Sequence, residues 1–259
     1  MSVTLRRAVL SVASLLLVAG AAYADDITVM TTGGFTAAFL ELVPQFERAT
    51  GHRIVTATTS MGAGDDSIPS RLRRGEQADV LIMAETALDA LIKDGTVLAR
   101  NRVDLARSGI GMAVRAGTPR PDISSVDALK RTLLQARSIV YSPGPSGVYL
   151  SAELFQRLGI ADQVSGKSRR IERERVGAVV ARGEAEIGFQ QISELLPVPG
   201  VEYVGPLPPE VQRFTVFSAG VAARASNPTA ALMLIRFLAS PAAARAISTS
   251  GMEPMTSQE

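Results

Sequence analysis

Strand-like runs and helical periods alternate along this chain from residue 27 onward, and that alternation limits the folds open to it more than any other feature. Ile27, Thr28, Val29 and Met30 form a short β-type run, Thr31, Thr32, Gly33 and Gly34 break it, and residues 35–50 place Phe35, Ala38, Phe39, Leu42, Val43 and Phe46 at helical spacing. Gly51 closes that helix, and 54–57 is the next strand. A polar loop, Thr58 to Asp66, leads to a helix over 68–74, then a buried strand over 80–83 and a helix and turn over 88–98. Strands separated by helices of this length predict βαβ units with right-handed crossovers and a parallel sheet.

The second half repeats the pattern. A strand is expected over 109–114, a helix over 126–134, and a strand over 139–141 that ends in Ser142-Pro143-Gly144-Pro145-Ser146-Gly147 before a helix over 148–158. A short helix over 176–182, a strand over 185–189, a strand over 215–221 and closing helices over 228–238 and 241–248 complete the chain. No internal repeat and no low-complexity tether is present, so two lobes must be joined by strands. The expected division is 1–24 leader, 25–106 plus 218–259 as the first lobe, and 107–217 as the second.

Composition narrows the function. Arg6 and Arg7 precede an apolar run over 8–22, and Ala22-Tyr23-Ala24 fits the small-x-small pattern of signal peptide cleavage after Ala24. The run is shorter than a spanning helix requires. A soluble product working in the periplasm, starting at Asp25, is expected. The 259 residues contain no Cys and one His, His52, so thiol chemistry is excluded and a metal centre is not expected. Lys and Arg number 27 against 25 acids and only 5% of residues are aromatic, which is no nucleic-acid footprint. A small anion is compatible with that balance.

In open α/β sheets, ligands bind beyond the carboxyl ends of strands, where helix N-termini present free N–H groups. Four turns fit: Thr31, Thr32 and Gly33 after the first strand, Thr59 and Ser60 after the second, Ser142, Ser146 and Gly147 in the second lobe, and Gln190 and Gln191 after the later strand. Each alone also suits ordinary helix capping. Four of them, distributed over both lobes, favour one shared anion site. Other chemistries lack their motifs. Ser146 is not in a Gly-x-Ser-x-Gly elbow, and Gly33-Gly34 has neither a Walker lysine nor dinucleotide spacing. Lys167, Ser168, Arg169 and Arg170, with Arg173 and Arg175 alternating with Glu172 and Glu174, reads as an exposed ion-paired segment.

The order of five segments carries a family resemblance. These are the run over 25–47, Gly75-Glu76-Gln77-Ala78-Asp79-Val80-Leu81-Ile82, Ser146-Gly147-Val148-Tyr149-Leu150, Gly183-Glu184-Ala185-Glu186-Ile187-Gly188, and the helix over 230–238 with Ser240-Pro241-Ala242-Ala243. Together they resemble the type II periplasmic solute-binding proteins, and most closely the molybdate-binding proteins of ABC uptake systems, over essentially the whole mature chain. The resemblance implies an α/β fold of two lobes, each a mostly parallel sheet flanked by helices, with the first lobe completed by the C-terminal part. It also implies two crossover segments, a ligand cleft between the lobes, and a monomer that delivers its anion to an ABC permease.

Departures from the molybdate pattern favour a polycarboxylate. Thr31-Thr32-Gly33-Gly34 stands where that family places Ala-Ala-Ser or Ser-Ser, and Phe189-Gln190-Gln191 stands where a ligand Tyr is usual. Arg71 suits a carboxylate as a bidentate partner, although a solvated helix face shared with Arg73 and Arg74 is its plainer role. The family likeness also extends to a periplasmic enzyme, aconitate isomerase, which needs no cofactor. It needs one base, together with donors that hold three carboxylates. Candidate bases are Asp65, Asp66, Glu85, Tyr141 and Tyr149, with His52 read as a surface residue at a helix end. Anion capture for uptake is the first expectation, and isomerisation of aconitate on the same scaffold is the alternative.

Overall fold

The computed structural model of the chain describes residues 25–59 and 64–255, so the expected leader over 1–24 and the candidate Ser60 lie outside the described residues. Strands β1 (Asp26–Thr32), β2 (Arg53–Thr59) and β3 (Val80–Ala84) run parallel, connected through α1 (Gly33–Thr50) and α2 (Ile68–Arg73). After α3 (Glu85–Lys93), β4 (Val103–Ser108) carries the chain across at Gly109 into a second sheet.

That sheet contains β5 (Ile110–Arg115), β6 (Ile139–Tyr141), β7 (Ser168–Arg170), β8 (Ile187–Gln191) and β9 (Val201–Pro206). Its helices are α4 (Val126–Gln135), α5 (Pro145–Tyr149), which runs on through a π-helical segment Leu150–Leu154 into α6 (Phe155–Arg157), then α7 (Ala161–Ser165), α8 (Val176–Ala181) and α9 (Ile192–Leu195). The chain then returns to the first sheet as β10 (Thr215–Val221), followed by α10 (Pro228–Leu238), α11 (Ala244–Thr249) and β11 (Glu253–Pro254). The strand orders are β11-β4-β10-β3-β1-β2 and β7-β6-β8-β5-β9.

Both sheets are mixed, rather than mostly parallel as the helix–strand alternation predicts. The reason is the double crossover. The strand that leaves each lobe and the strand that returns to it must run in opposite directions, and they are neighbours: β4 pairs antiparallel with β10, and β5 with β9. Parallel pairing survives where helices make the connections, in β1 with β2 and β3, and in β6 with β7 and β8.

Strands β4, β7 and β9 escape the hydrophobic pattern for separate reasons. Half-burial along β9 removes its alternation, β4 carries charges at Asp104 and Arg107, and β7 is an edge strand of Ser168, Arg169 and Arg170, whose charges discourage pairing with another chain. The ion pairs expected around β7 form: Arg170 with Glu172, and Arg182 with both Glu174 and Glu184.

The helical period of α1 turns Phe35, Phe39, Leu42 and Phe46 inward, where they meet Val29, Ile82, Phe217 and the Ala231, Leu234, Ile235 and Leu238 face of α10. Full burial of each large side chain contributes roughly 1.5–3 kcal/mol. A separate core under the second sheet gathers Leu129, Ile139, Leu150, Leu154, Phe155 and Phe189. Asp79, one residue before β3, is buried and accepts backbone N–H groups from Thr28, Ser226 and Asn227, tying β1 and the start of α10 to the same carboxylate. Among the described residues no single helix is long and apolar enough to cross a membrane.

Candidate functional site

Parallel β1, β2 and β3 bring their carboxyl ends to one edge of the first sheet, and antiparallel β10 begins at that edge with Thr215. Parallel β6 and β8 end in the same way in the second sheet. Between these edges lies a cavity of about 510 Å³. Its walls are Thr32 from the end of β1, Met83 to Ala87 at the β3–α3 junction, Pro143, Gly144, Pro145, Val148 and Tyr149 from the second lobe, and Arg213 to Val216 from the returning crossover.

Thr32, one of the residues that line the cavity, caps α1 with extended backbone, and its buried hydroxyl has no hydrogen-bond partner among the described residues. Thr31 is fully buried, with its hydroxyl directed at the Thr32 carbonyl, and the Thr59 hydroxyl donates to the Thr31 carbonyl at 3.2 Å. In the second lobe the Ser142 and Ser146 hydroxyls lie 3.0 Å apart, both buried. Gly147 is required there: a Cβ would stand 1.7 Å from the Ser142 carbonyl oxygen. The turn can fold over its own backbone only without a side chain at that position.

The remaining ligand candidates are committed to protein groups. Arg71 is paired with Glu76 at 2.7 Å. Gln190 accepts the Val176 N–H at 3.1 Å, holding the start of α8. Gln191 is wholly buried; its amide N–H groups donate to the carbonyls of Ser108 and Gly109 at 2.9 and 3.2 Å, and its oxygen accepts from the Thr215 hydroxyl at 2.7 Å. Gln191 therefore fastens the outgoing crossover to the first residue of β10, a task for an amide with both a donor and an acceptor.

The candidate bases are scattered. Asp65 and Asp66 are exposed in the turn before α2. Glu85 lines the cavity but pairs with Arg102 at 3.3 Å. Tyr141 is half-buried, edge-on to Phe155. The ring of Tyr149 faces the cavity, while its hydroxyl donates to the Val211 carbonyl at 2.8 Å and accepts from Arg157 at 3.1 Å. His52 accepts the Asp25 N–H at 3.2 Å and stacks on Phe46.

Two residues outside the candidate set stand at or near this cleft, Arg213 in its wall and Glu194 buried behind the start of α1. Arg213 enters the cavity from the crossover before β10, its guanidinium 4.7 Å above the Tyr149 ring and 2.7 Å from Glu153. No periodicity marks it, because it sits in an irregular segment. Glu194, on α9 of the second lobe, reaches across to the first residue of α1: a Cβ on Gly33 would stand 2.2 Å from its Oε1. Burial pushes this carboxyl up to about 7, against the opposing pull of Arg175 and a hydrogen bond from Gln190. It stands three residues after Gln191, and no local pattern marks it among the acids of the chain.

Residues 27–253 match the model of the bacterial extracellular solute-binding protein family. The chain is 47% identical over 233 residues to the aconitate isomerase of Pseudomonas sp, covering 90% of this chain and 89% of that one. Among solved structures, the periplasmic molybdate-binding protein of Azotobacter vinelandii superposes with a TM-score of 0.69 at 20% identity, over 87% of this chain and 98% of that one. The sulfate-binding protein SubI of Mycobacterium tuberculosis H37Rv gives a TM-score of 0.69 at 18% identity, over 90% and 88% of the respective chains. At these identities the structural likeness concerns the two-lobed fold.

Proposed function

Because the chain belongs to the bacterial extracellular solute-binding protein family, we propose that it is a periplasmic isomerase interconverting trans- and cis-aconitate in the cleft between its lobes. The first expectation, capture of a polycarboxylate for ABC uptake, uses the same ligand class and the same cleft. The two differ only in whether the bound acid reacts. What carries the enzyme reading is the 47% identity with the Pseudomonas isomerase, which runs through about nine-tenths of both chains and so includes both lobes.

The cleft suits such an acid. A cavity of about 510 Å³ has room for a six-carbon tricarboxylate. The unpartnered Thr32 hydroxyl and the free N–H groups at the start of α1 are donors for one carboxylate, Ser142 and Ser146, which flank the cavity-lining Pro143, Gly144 and Pro145 in the chain, for another, and Arg213, already paired with Glu153, adds positive charge at the wall. The reaction is a proton shift across three carbons. A base removes a methylene proton, the electron pair spreads over the allylic carbons and the flanking carboxylates, and the proton returns at the opposite end. Donors that hold those carboxylates would stabilise the charge as it develops.

Purified mature protein incubated with trans-aconitate should change its ultraviolet spectrum as the cis isomer accumulates. A protein that binds the acid and leaves the spectrum unchanged is a carrier, and the enzyme reading fails. Aconitate should also raise the melting temperature more than molybdate at equal concentration, since a ligand that binds only the folded state stabilises it by mass action. A larger shift with molybdate would contradict the ligand class.

Replacing Thr32 or Ser146 with Ala should weaken aconitate binding by roughly 1–3 kcal/mol, the loss of one charge-assisted hydrogen bond. Arg169→Ala, on the exposed β7 edge, should leave binding unchanged. Isothermal titration of the three variants distinguishes these outcomes, and equal losses at all three positions would put the site elsewhere.

A further inference from the structure

We infer that Glu194 is the catalytic base of this cleft, the group that takes the proton from one end of the allylic system and returns it to the other. The inference rests on the isomerase reading and adds the identity of the proton carrier. Its first support is position. Glu194 belongs to the second lobe, yet its carboxyl stands against Gly33 at the start of the 18-residue helix α1 of the first lobe. It therefore lies where the two lobes meet, against the chain neighbour of Thr32, which lines the cavity.

The second support is that neighbouring hydroxyl. Thr32 is 2% exposed and its Oγ1 has no partner among the described residues, which marks this corner as one built to receive a ligand oxygen. A substrate carboxylate held by Thr32 and the N–H groups of α1 would carry its adjacent carbon towards Glu194.

The third is the state of the competing acids. The carboxylates that line the cavity are each ion-paired, Glu85 with Arg102, which also meets Asp89 and Asp104, and Glu153 with Arg213. Glu194 instead receives a hydrogen bond from the neutral Gln190 amide and feels Arg175 without a close ion pair. Burial lifts its carboxyl to about 7, so that both protonation states are accessible near neutral pH.

The proton balance closes without a co-reactant. The Glu194 carboxylate accepts the methylene proton, breaking the C–H bond and forming O–H. The electron pair becomes the new double bond, and the former double bond supplies the pair that takes a proton back from the Glu194 carboxyl at the far carbon, after that carboxyl has had the chance to exchange with solvent. The carboxylate is regenerated. Gly33 has its own part in this: a side chain there would occupy the space of Oε1 and displace the acid.

Glu194→Gln keeps the volume and the contact with Gln190 and removes only the proton acceptor. It should lower kcat for trans-aconitate at least about 100-fold, leave aconitate affinity within about threefold by thermal shift, and abolish incorporation of solvent deuterium. Wild-type kcat/KM should rise through pH about 7, and residual activity of the variant should lack that limb. Should Glu194→Gln not fold, Glu194→Asp retains the acid on a shorter arm and should lose at least about tenfold in kcat while keeping the pH limb. Turnover of either variant within threefold of wild type overturns the assignment, as does a Glu194→Gln protein that loses binding and turnover together. Wild-type protein that binds aconitate without converting it overturns the isomerase reading itself, and this assignment with it.

Discussion

Ligand-free wild-type protein should lose about 3 kcal/mol of stability relative to Glu194→Gln as the pH is raised from 4.5 to above 7. The sign follows from proton binding. In the unfolded chain this carboxyl ionises near the ordinary 4.5, and in the folded protein burial holds it protonated up to about 7. Between those values the folded state binds a proton that the unfolded state has released, so each rise in pH favours unfolding. The contribution is complete below 4.5, declines through 7, and is flat above it. A glutamine has no proton to lose, and its stability should not follow that decline. Urea midpoints of the two proteins at pH 4.5, 6 and 8 test this, and parallel curves would mean that Glu194 is as well solvated in the folded state as in the unfolded one.

A base that is stable protonated and active deprotonated works against the fold at the pH where it functions. This is the familiar opposition between stability and activity at a reactive site. Bound substrate should alter it, because a polyanion placed beside Glu194 further disfavours its charged form.

Asp79→Ala should remove about 4 kcal/mol from the first lobe, a large fraction of the stability of an ordinary domain. Asp79 is 4% exposed and accepts the N–H of Thr28 at 2.8 Å, of Ser226 at 2.6 Å and, at a longer 3.4 Å, of Asn227. Alanine leaves those donors in a dry interior without an acceptor, at about 1–3 kcal/mol for each well-formed bond. Asp79→Asn keeps one acceptor oxygen and turns an N–H₂ group towards the other donors, so its loss should be smaller but still present. Denaturant unfolding of the three proteins gives the order. An Ala variant within about 0.5 kcal/mol of wild type would mean that water or a shifted backbone replaces the carboxylate.

Residues close together in the chain made much of the fold legible. The apolar spacing of Phe35, Phe39, Leu42 and Phe46 predicts α1, and the run from Val80 to Met83 predicts β3, because the helix and strand periods are properties of neighbouring residues. The turns at Thr31 to Gly33 and at Ser142 to Gly147 could likewise be identified as strand-to-helix junctions facing a cleft. The sheets proved mixed because antiparallel pairing of β4 with β10 depends on where the chain crosses between lobes, and no local pattern encodes that.

The chemistry was less accessible. Gln190 and Gln191 have the donors an anion site needs, but packing turned them to Val176 and to the crossover, a choice made by backbone groups from other segments. Arg71 met Glu76 in the same way. Glu194 is one of many acids in the sequence, and nothing in its immediate neighbours distinguishes it. Its burial, its approach to Gly33 and the resulting upward shift of its carboxyl arise only when α9 of one lobe packs against α1 of the other. The sequence by itself determined the alternation of strand and helix and the small polar turns at the strand ends, since these depend on bonded neighbours. The tertiary structure decided which acid is desolvated, because desolvation is set by everything that surrounds a group, and most of what surrounds Glu194 lies far from it along the chain.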